Sequence, residues 1–255
     1  MTGPKIWMYD IENAPALGYF WPPGYDTNII TVKEEPYCLS FAGAWYNPDG
    51  LDPDDIVFER KAMRKGDDKG LMRKLWKYYD EADAVMAHNG DRFDQKKALS
   101  RMVKHGFPPP SPYIEIDTLK LSRQKFAFTS NKLDNLARFL DIGEKKPHQG
   151  MHTWYGCMEN DPEAWADLEE YNKHDVVLMD GVYRCIAPYV RTRLNMQAWT
   201  GTFTCVKCGS RNLEGRGYAS RGGTDKSHRQ WRCLEPECGK YSYELLSETG
   251  RMRSV

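Results

Sequence analysis

Long apolar runs are the first thing this sequence lacks. No stretch of its 255 residues approaches the about 20 apolar residues of a membrane span, so a membrane protein is excluded and no membrane partner is expected. Met1 is not followed by a basic run and an apolar stretch, so no secretory leader is expected and the cytoplasm is the expected compartment. Internal repeats and low-complexity segments are absent. So are a P-loop, a G-x-S-x-G elbow and a Cys/His dyad of known spacing, which removes the corresponding nucleotide-binding and hydrolase classes. Formal net charge is zero, with 36 Lys and Arg against 36 Asp and Glu.

The composition that remains, 40% apolar and 28% charged, suits a soluble globular enzyme of one large domain plus a small appendage. The charge is unevenly spread. Residues 200–255 hold 10 Lys and Arg against 6 Asp and Glu, a net of +4, and the rest of the chain carries the compensating −4. The C-terminal part is therefore the end suited to a polyanionic partner.

The chain is organised around Tyr9-Asp10-Ile11-Glu12, at the end of the apolar run Ile6–Tyr9, which reads as a strand. Residues two apart on a strand face the same side, so the Asp10 and Glu12 carboxylates project together. With no basic neighbour closer than Lys5, they suit a hard divalent cation or a solvated strand end. Asn13 to Pro36 is rich in Pro and Gly and reads as a long loop or inserted flap, whose Tyr19, Phe20, Trp21 and Tyr25 either pack onto the domain or stack on bases. Further strands are expected at 38–46, 56–58, 84–87 and 113–117, and helices at 67–81, 91–105, 118–125, 133–140 and 162–193. Leu99, Met102 and Val103 are expected to face inward. Ser130-Asn131 is a candidate cap for the helix at 133, and Asp161 for the helix at 162.

Asp94 falls in the first turn of a helix just beyond a strand, where it either compensates the helix dipole or joins a site at the sheet edge. Tyr171 and Asp175, four apart on the last helix, share a face. His174 points about 100° away from Asp175, so it is assigned a structural role. Lys145, Lys146 and His148 sit in a polar loop. From Thr200 the character changes. Cys205, Cys208, Cys233 and Cys238, as C-x2-C-x24-C-x4-C, have the spacing of a tetrahedral zinc site built from two knuckles, against the alternative of disulfides or unrelated thiols. Arg211, Arg216, Arg221, Lys226, Arg229 and Arg232 cluster there as candidate phosphate contacts, unless the segment is only a structural cap. Cys38, Cys157 and Cys185 are expected to be buried structural thiols.

Taken together, Asp10-x-Glu12, Asn89-x4-Asp94 and Tyr171-x3-Asp175 resemble the three exonuclease motifs of the DEDD superfamily, the ribonuclease H-like fold of polymerase proofreading domains. Tyr four residues before the last Asp, with Glu170 where another subgroup has His, is similar to the DEDDy branch. Asp117-Thr118 and Ser130 to Leu133 look like stretches of small phage-type members, which for a viral chain means the host cytoplasm. The resemblance covers roughly residues 4–195. It implies an α/β fold with a mixed five-stranded sheet flanked by helices over residues 1–198; the small zinc ribbon at 199–255, read from the cysteine spacing, and the long flap after Glu12 depart from the minimal family pattern. It implies a 3′–5′ exonuclease that stands alone, with no polymerase domain following. Two Mg²⁺ or Mn²⁺ ions would be held by Asp10, Glu12, Asp94 and Asp175, with Asp10 bridging both, Glu12 and Asp175 completing the nucleophile-side ion and Asp94 holding the other. Tyr171 would orient the attacking water. One structural Zn²⁺ would sit in the ribbon. The implied substrate is single-stranded DNA, with RNA or a non-catalytic nucleic-acid-binding role as alternatives. Trp21, Asn89, Phe93, Asn131, Arg216 and Arg221 are the implied or candidate contacts to nucleic acid.

Overall fold

A computed structural model describes residues 4–21, 28–47, 49–146, 150–190, 202–220, 227–236 and 238–245. The chain divides into two compact units, Lys5–Tyr183 and one built mainly from Arg184–Val255. The expected division at 198/199 lies outside the described residues, as do Tyr25, His148, Arg221 and Lys226.

The larger unit is built on β1 (Ile6–Asn13), where Ile6, Trp7, Met8, Tyr9 and Ile11 are all buried. Burial on both faces explains why this strand is a near-continuous apolar run. Two short strands follow, β2 (Leu17–Phe20) and β3 (Ile29–Glu34), which pair with each other as a two-stranded ribbon. The expected loop or flap therefore contains paired strands on either side of residues 22–27, which lie outside the described residues. Leu17, Tyr19, Phe20, Ile29, Ile30 and Val32 are exposed along these strands.

The main sheet continues with β4 (Cys38–Trp45), β5 (Val57–Arg60), β6 (Ala84–Ala87) and β7 (Ile114–Asp117), in the order β5-β4-β1-β6-β7. β4 runs antiparallel to β1 and to β5, whereas β6 and β7 are parallel to β1. This is the mixed five-stranded sheet of a ribonuclease H-like fold, and all five strands fall where the apolar runs place them. Gly43 has no room for a side chain: a Cβ there would lie 2.4 Å from the Trp7 ring and 2.6 Å from the Met8 carbonyl oxygen.

Helices α1 (Lys69–Glu81), α2 (Asp94–Lys104), α3 (Thr118–Lys125), α4 (Leu133–Phe139), α5 (Met151–Met158) and α6 (Pro162–Ile186) complete the unit. α1 turns Leu71, Leu75 and Tyr79 onto the sheet, and Trp7 stacks on Tyr78 with ring centroids 3.8 Å apart. α5 was not expected. Its sequence MHTWYGCM has no apolar–polar periodicity to betray a helix. Asp161 accepts from the Glu163 N–H at 3.0 Å, as a cap should, but α4 begins at Lys132 without a side-chain cap. Two expectations fail on burial. Val103 is 76% exposed, on the outer side of α2, and Cys185 is exposed near the end of α6. Among the described residues no helix is long and apolar enough to cross a membrane.

The smaller unit contains a three-stranded antiparallel sheet, β8 (Leu213–Ser220), β9 (Ser227–Cys233) and β10 (Tyr241–Leu245), with β9 in the middle.

One buried ion cluster ties the larger unit together. Asp68, just before α1, is fully buried and accepts from Arg101 Nε at 2.7 Å and Nη2 at 2.6 Å, from His105 Nε2 at 2.6 Å and from the Cys38 N–H at 2.9 Å. Burial pushes its carboxyl up, but the donors from Arg101, Cys38 and His105 overcome that and hold it below the usual range. A depressed carboxylate stabilises the fold above its unfolded value of about 4 and loses that contribution as pH falls through its folded value. Asp68→Ala strands the buried Arg101 guanidinium, so a loss of about 3–5 kcal/mol in urea unfolding is expected. A loss below about 1 kcal/mol would show that the cluster is not a structural tie.

Candidate active site

Alternation along β1 puts Asp10 and Glu12 on one face, across from Ala42 and Ser40 of β4. The turn after β6 brings in Asp94. Asn89 adopts a left-handed conformation, φ 69°, which Asn tolerates well. The next residue must be glycine, because a Cβ at Gly90 would lie 2.6 Å from that of Ala87. The chain reverses there, α2 starts at Asp94, and the Asp94 carboxylate accepts the Ile11 N–H at 3.2 Å. Asp94 and Asp175 are only 3% and 4% exposed. Tyr171 and Asp175 come from successive turns of α6.

The acids face one another closely enough to raise one another's proton affinity. Burial is the largest cause in each case. It pushes Asp10 well up, assisted by the charges of Asp94, Glu12 and Asp175. Glu12 is pushed to about 8 by burial and the Asp175 charge, against a 3.1 Å hydrogen bond from Trp154 Nε1. Asp94 is pushed to about 7 by burial, with Asp117 and Asp175 adding to it. Asp175 is raised by burial despite an ion pair with Lys145 at 2.5 Å. Tyr171 is pushed up to about 12 by burial and by Asp175, so it stays a phenol at neutral pH.

Lys145 is the residue the sequence did not single out. Its ammonium donates to the Tyr171 hydroxyl at 2.9 Å and to Asp175 Oδ2 at 2.5 Å, and sits 4.9 Å from the Tyr171 ring centroid. Burial lowers its proton affinity, but Asp175 and Tyr171 more than reverse that. Trp154 and Asn172 were missed as well. Asn172 donates to Asp10 Oδ2 at 2.6 Å, and its place beside Tyr171 in the third motif was the available signal. Trp154 lies on the unexpected α5, and no sequence signal marked it. His174 bonds the Glu144 carbonyl at 2.7 Å, in keeping with a structural role.

All-oxygen donors of this kind suit Mg²⁺ or Mn²⁺. The Asp175 Oδ1 atom, buried and without a hydrogen-bond partner, is the sort of orphaned acceptor that a cation would satisfy. The donor chemistry therefore suits the metals expected from the sequence, although among the described residues the four cysteines of the smaller unit, and not these acids, are the group whose ligand atoms all lie within 4.8 Å of one another.

The remaining candidate contacts are more scattered. The Asn89 N–H donates to Asp117 Oδ1 at 3.1 Å. The Asn131 carbonyl accepts from His88 Nε2 at 2.9 Å, which leaves Nδ1 to accept from Thr118 Oγ1 at 2.9 Å, and burial lowers His88 to about 4. Phe93 and Trp21 are 42% and 60% exposed. No hydrogen bond or ion pair joins Trp21, Phe93 or Asn131 to the four acids among the described residues. Arg216 pairs with Glu214 at 2.8 Å, and Arg221 lies outside the described residues.

In the smaller unit Cys205, Cys208, Cys233 and Cys238 bring their sulfurs within 4.8 Å of one another. The Cys205–Cys238 and Cys208–Cys233 separations are 3.7 and 3.6 Å. A tetrahedral zinc thiolate with bonds of about 2.3 Å has sulfurs about 3.8 Å apart. Gly209 and Gly239, each after the second cysteine of a pair, adopt φ +75° and +52°, as the tight turns demand.

A family model described as the RNase_H superfamily matches residues 49–187, a span that holds Asp94, Tyr171 and Asp175 and begins after Glu12. No curated protein matches the chain. Among solved structures, the family B DNA polymerase from the hyperthermophilic archaeon Pyrobaculum calidifontis is similar, at 14% identity and a TM-score of 0.53. The similarity covers 89% of this chain but only 32% of the polymerase, so the chain spans about a third of that protein's length.

The raised acids set a pH dependence for the metal-free protein. Glu12 moves from 4.5 to about 8 on folding, so between these values the folded chain holds a proton that the unfolded chain has lost. That contribution to stability is complete below pH 4.5 and is lost as pH rises through about 8. Melting in EDTA should therefore fall between pH 6 and pH 8.5, and Glu12→Gln should flatten the fall. Identical slopes in parent and variant would remove Glu12 from the coupled cluster.

Proposed function

The chain belongs to the RNase H superfamily, whose members are generally nucleases, and on that premise we propose that it is a metal-dependent 3′–5′ exonuclease of the DEDDy type, acting on DNA and preferring single strands. The observation that carries the proposal is the convergence of four acids from β1, α2 and α6, in which Asp10, Glu12 and Asp94 are each raised by burial and by the charge of other members, Asp175 acting on all three. Burying like charges is costly without a cation, and a fold that does so is built to hold one.

In this proposal Asp10, Glu12, Asp94 and Asp175 hold two divalent ions, which when bound neutralise the phosphate and lower the pKa of an attacking water. Tyr171, protonated at neutral pH, orients that water through its hydroxyl. Lys145 keeps the Tyr171 hydroxyl and the Asp175 carboxylate in one arrangement, and it places a positive charge where the phosphate's negative charge grows. Trp154 holds Glu12 by one oxygen, leaving the other to the site. The exposed Trp21 and Phe93 offer faces on which unpaired bases can stack, which supports a single-stranded substrate.

End-labelled single- and double-stranded DNA and RNA oligonucleotides, incubated with Mg²⁺, Mn²⁺ or EDTA, test the proposal. Stepwise shortening of single-stranded DNA from its 3′ end is expected, dependent on metal. Asp10→Asn should abolish it, and Tyr171→Phe should slow it on the order of 10- to 100-fold, the range for a positioning group. RNA cleaved faster than DNA would reassign the substrate. Asp10→Asn retaining a tenth of the parent rate would overturn the assignment of the acids.

The four cysteines are proposed to hold one structural zinc. The protein as purified should contain one zinc per chain, and Cys233→Ser should lose it. Because a segment this small builds little core of its own, chelation should also broaden the NMR signals of β8–β10 while those of β1 and β4 persist. Sharp ribbon signals at zero zinc content would show that the cysteines are not a structural site.

A further inference from the structure

Asn172 lies one residue after Tyr171 and three before Asp175 on α6, so it points about 100° from Tyr171 and about 60° from Asp175. It is completely buried. Its amide nitrogen donates to Asp10 Oδ2 at 2.6 Å and to the Asp10 carbonyl oxygen at 3.2 Å. Its amide oxygen accepts from the Ser40 hydroxyl at 3.1 Å. Ser40 is itself completely buried on β4, directly across from Glu12.

We propose that Asn172, held by Ser40, is a positioning residue that fixes the Asp10 carboxylate in place for a divalent cation; this rests on the metal-dependent nuclease assignment above. The bonding pattern permits one amide orientation. Turned over, Asn172 would set its carbonyl oxygen against two acceptors on Asp10, so hydrogen bonding alone decides which end faces β1. A single NH₂ group grips both the main chain and one carboxylate oxygen of the same residue. That restrains rotation about the Asp10 side chain and leaves Oδ1 as the oxygen that Asn172 does not hold. Ser40 completes the chain of contacts, so that two uncharged side chains, Ser40 of β4 and Asn172 of α6, hold Asp10 of β1.

Mn²⁺ binding, followed by the electron paramagnetic resonance of the free ion, separates positioning from mere packing. Asn172→Ala should weaken Mn²⁺ binding on the order of 10- to 100-fold, as loss of a partner that orients a ligand does elsewhere. Its far-UV circular dichroism should match the parent, and the Mn²⁺ concentration for half-maximal cleavage should rise in parallel while KM for the oligonucleotide stays put. Ser40→Ala, which removes only a hydroxyl, should weaken binding several-fold and decides the matter if Asn172→Ala does not fold. Parent-like Mn²⁺ affinity in Asn172→Ala, or in Ser40→Ala where that variant must decide, would overturn the proposal and leave the nuclease assignment standing. A parent protein that neither binds Mn²⁺ nor cleaves would overturn both.

Discussion

Repulsion among buried carboxylates is the constraint on which the larger unit depends. Asp94 and Asp175 are almost fully buried, and Asp10 and Glu12 lie close beside them. Such a cluster pushes its own elements apart. The framework answers with ties that do not involve the cluster: the Trp7–Tyr78 stack beneath β1, the Tyr79–Tyr9 hydroxyl bond at 2.6 Å, and the Asp68–Arg101–His105 ion cluster joining the starts of β4 and α1 to α2. The acids are thus held from behind by a rigid core. Lys145 answers from the front by supplying one positive charge at Asp175.

Much of this was legible in the sequence, for reasons that differ by element. The five strands of the main sheet are short apolar runs bounded by turn residues, and burial on both faces makes such runs conspicuous. Asp10 and Glu12 were readable because a strand's period of two is rigid, and Tyr171 with Asp175 because a helix repeats nearly every four. What escaped notice depends on tertiary partners. Lys145 stands in a polar loop, where a lysine carries no local signal, and only the approach of α6 gives it meaning. Trp154 was hidden with α5, whose mix of Met, Trp, Tyr and Cys has no periodic face. Asn172 was eclipsed by its neighbours, since an uncharged amide draws no attention until its two acceptors on Asp10 are seen. Val103 misled in the opposite sense, as an apolar residue one position off the buried stripe of α2.

The smaller unit obeys a different economy. Its buried residues include Cys205, Cys233 and Cys238, with Cys208 and Leu213 packed against them. Among the described residues, the buried apolar cluster of this unit is made of cysteine sulfurs with Leu213 against them rather than of aliphatic side chains. Spacing alone exposed this, because the paired cysteines and their following glycines are a local pattern that needs no partner from elsewhere in the chain.

The ribbon β2–β3 leaves and re-enters the sheet through one pair of residues, with the Ala14 N–H bonded to the Tyr37 carbonyl at 2.9 Å and both residues buried. The two strands of the ribbon lie between these two residues. Lengthening, shortening or exchanging that segment alters no register within β1 or β4, since their pairing is already complete at Asn13 and Cys38. Descent with modification can therefore work on this ribbon separately from β1 and β4. Lineages of this architecture are free to diverge most in the segment inserted between β1 and β4, while the register that sets Asp10 and Glu12 stays fixed.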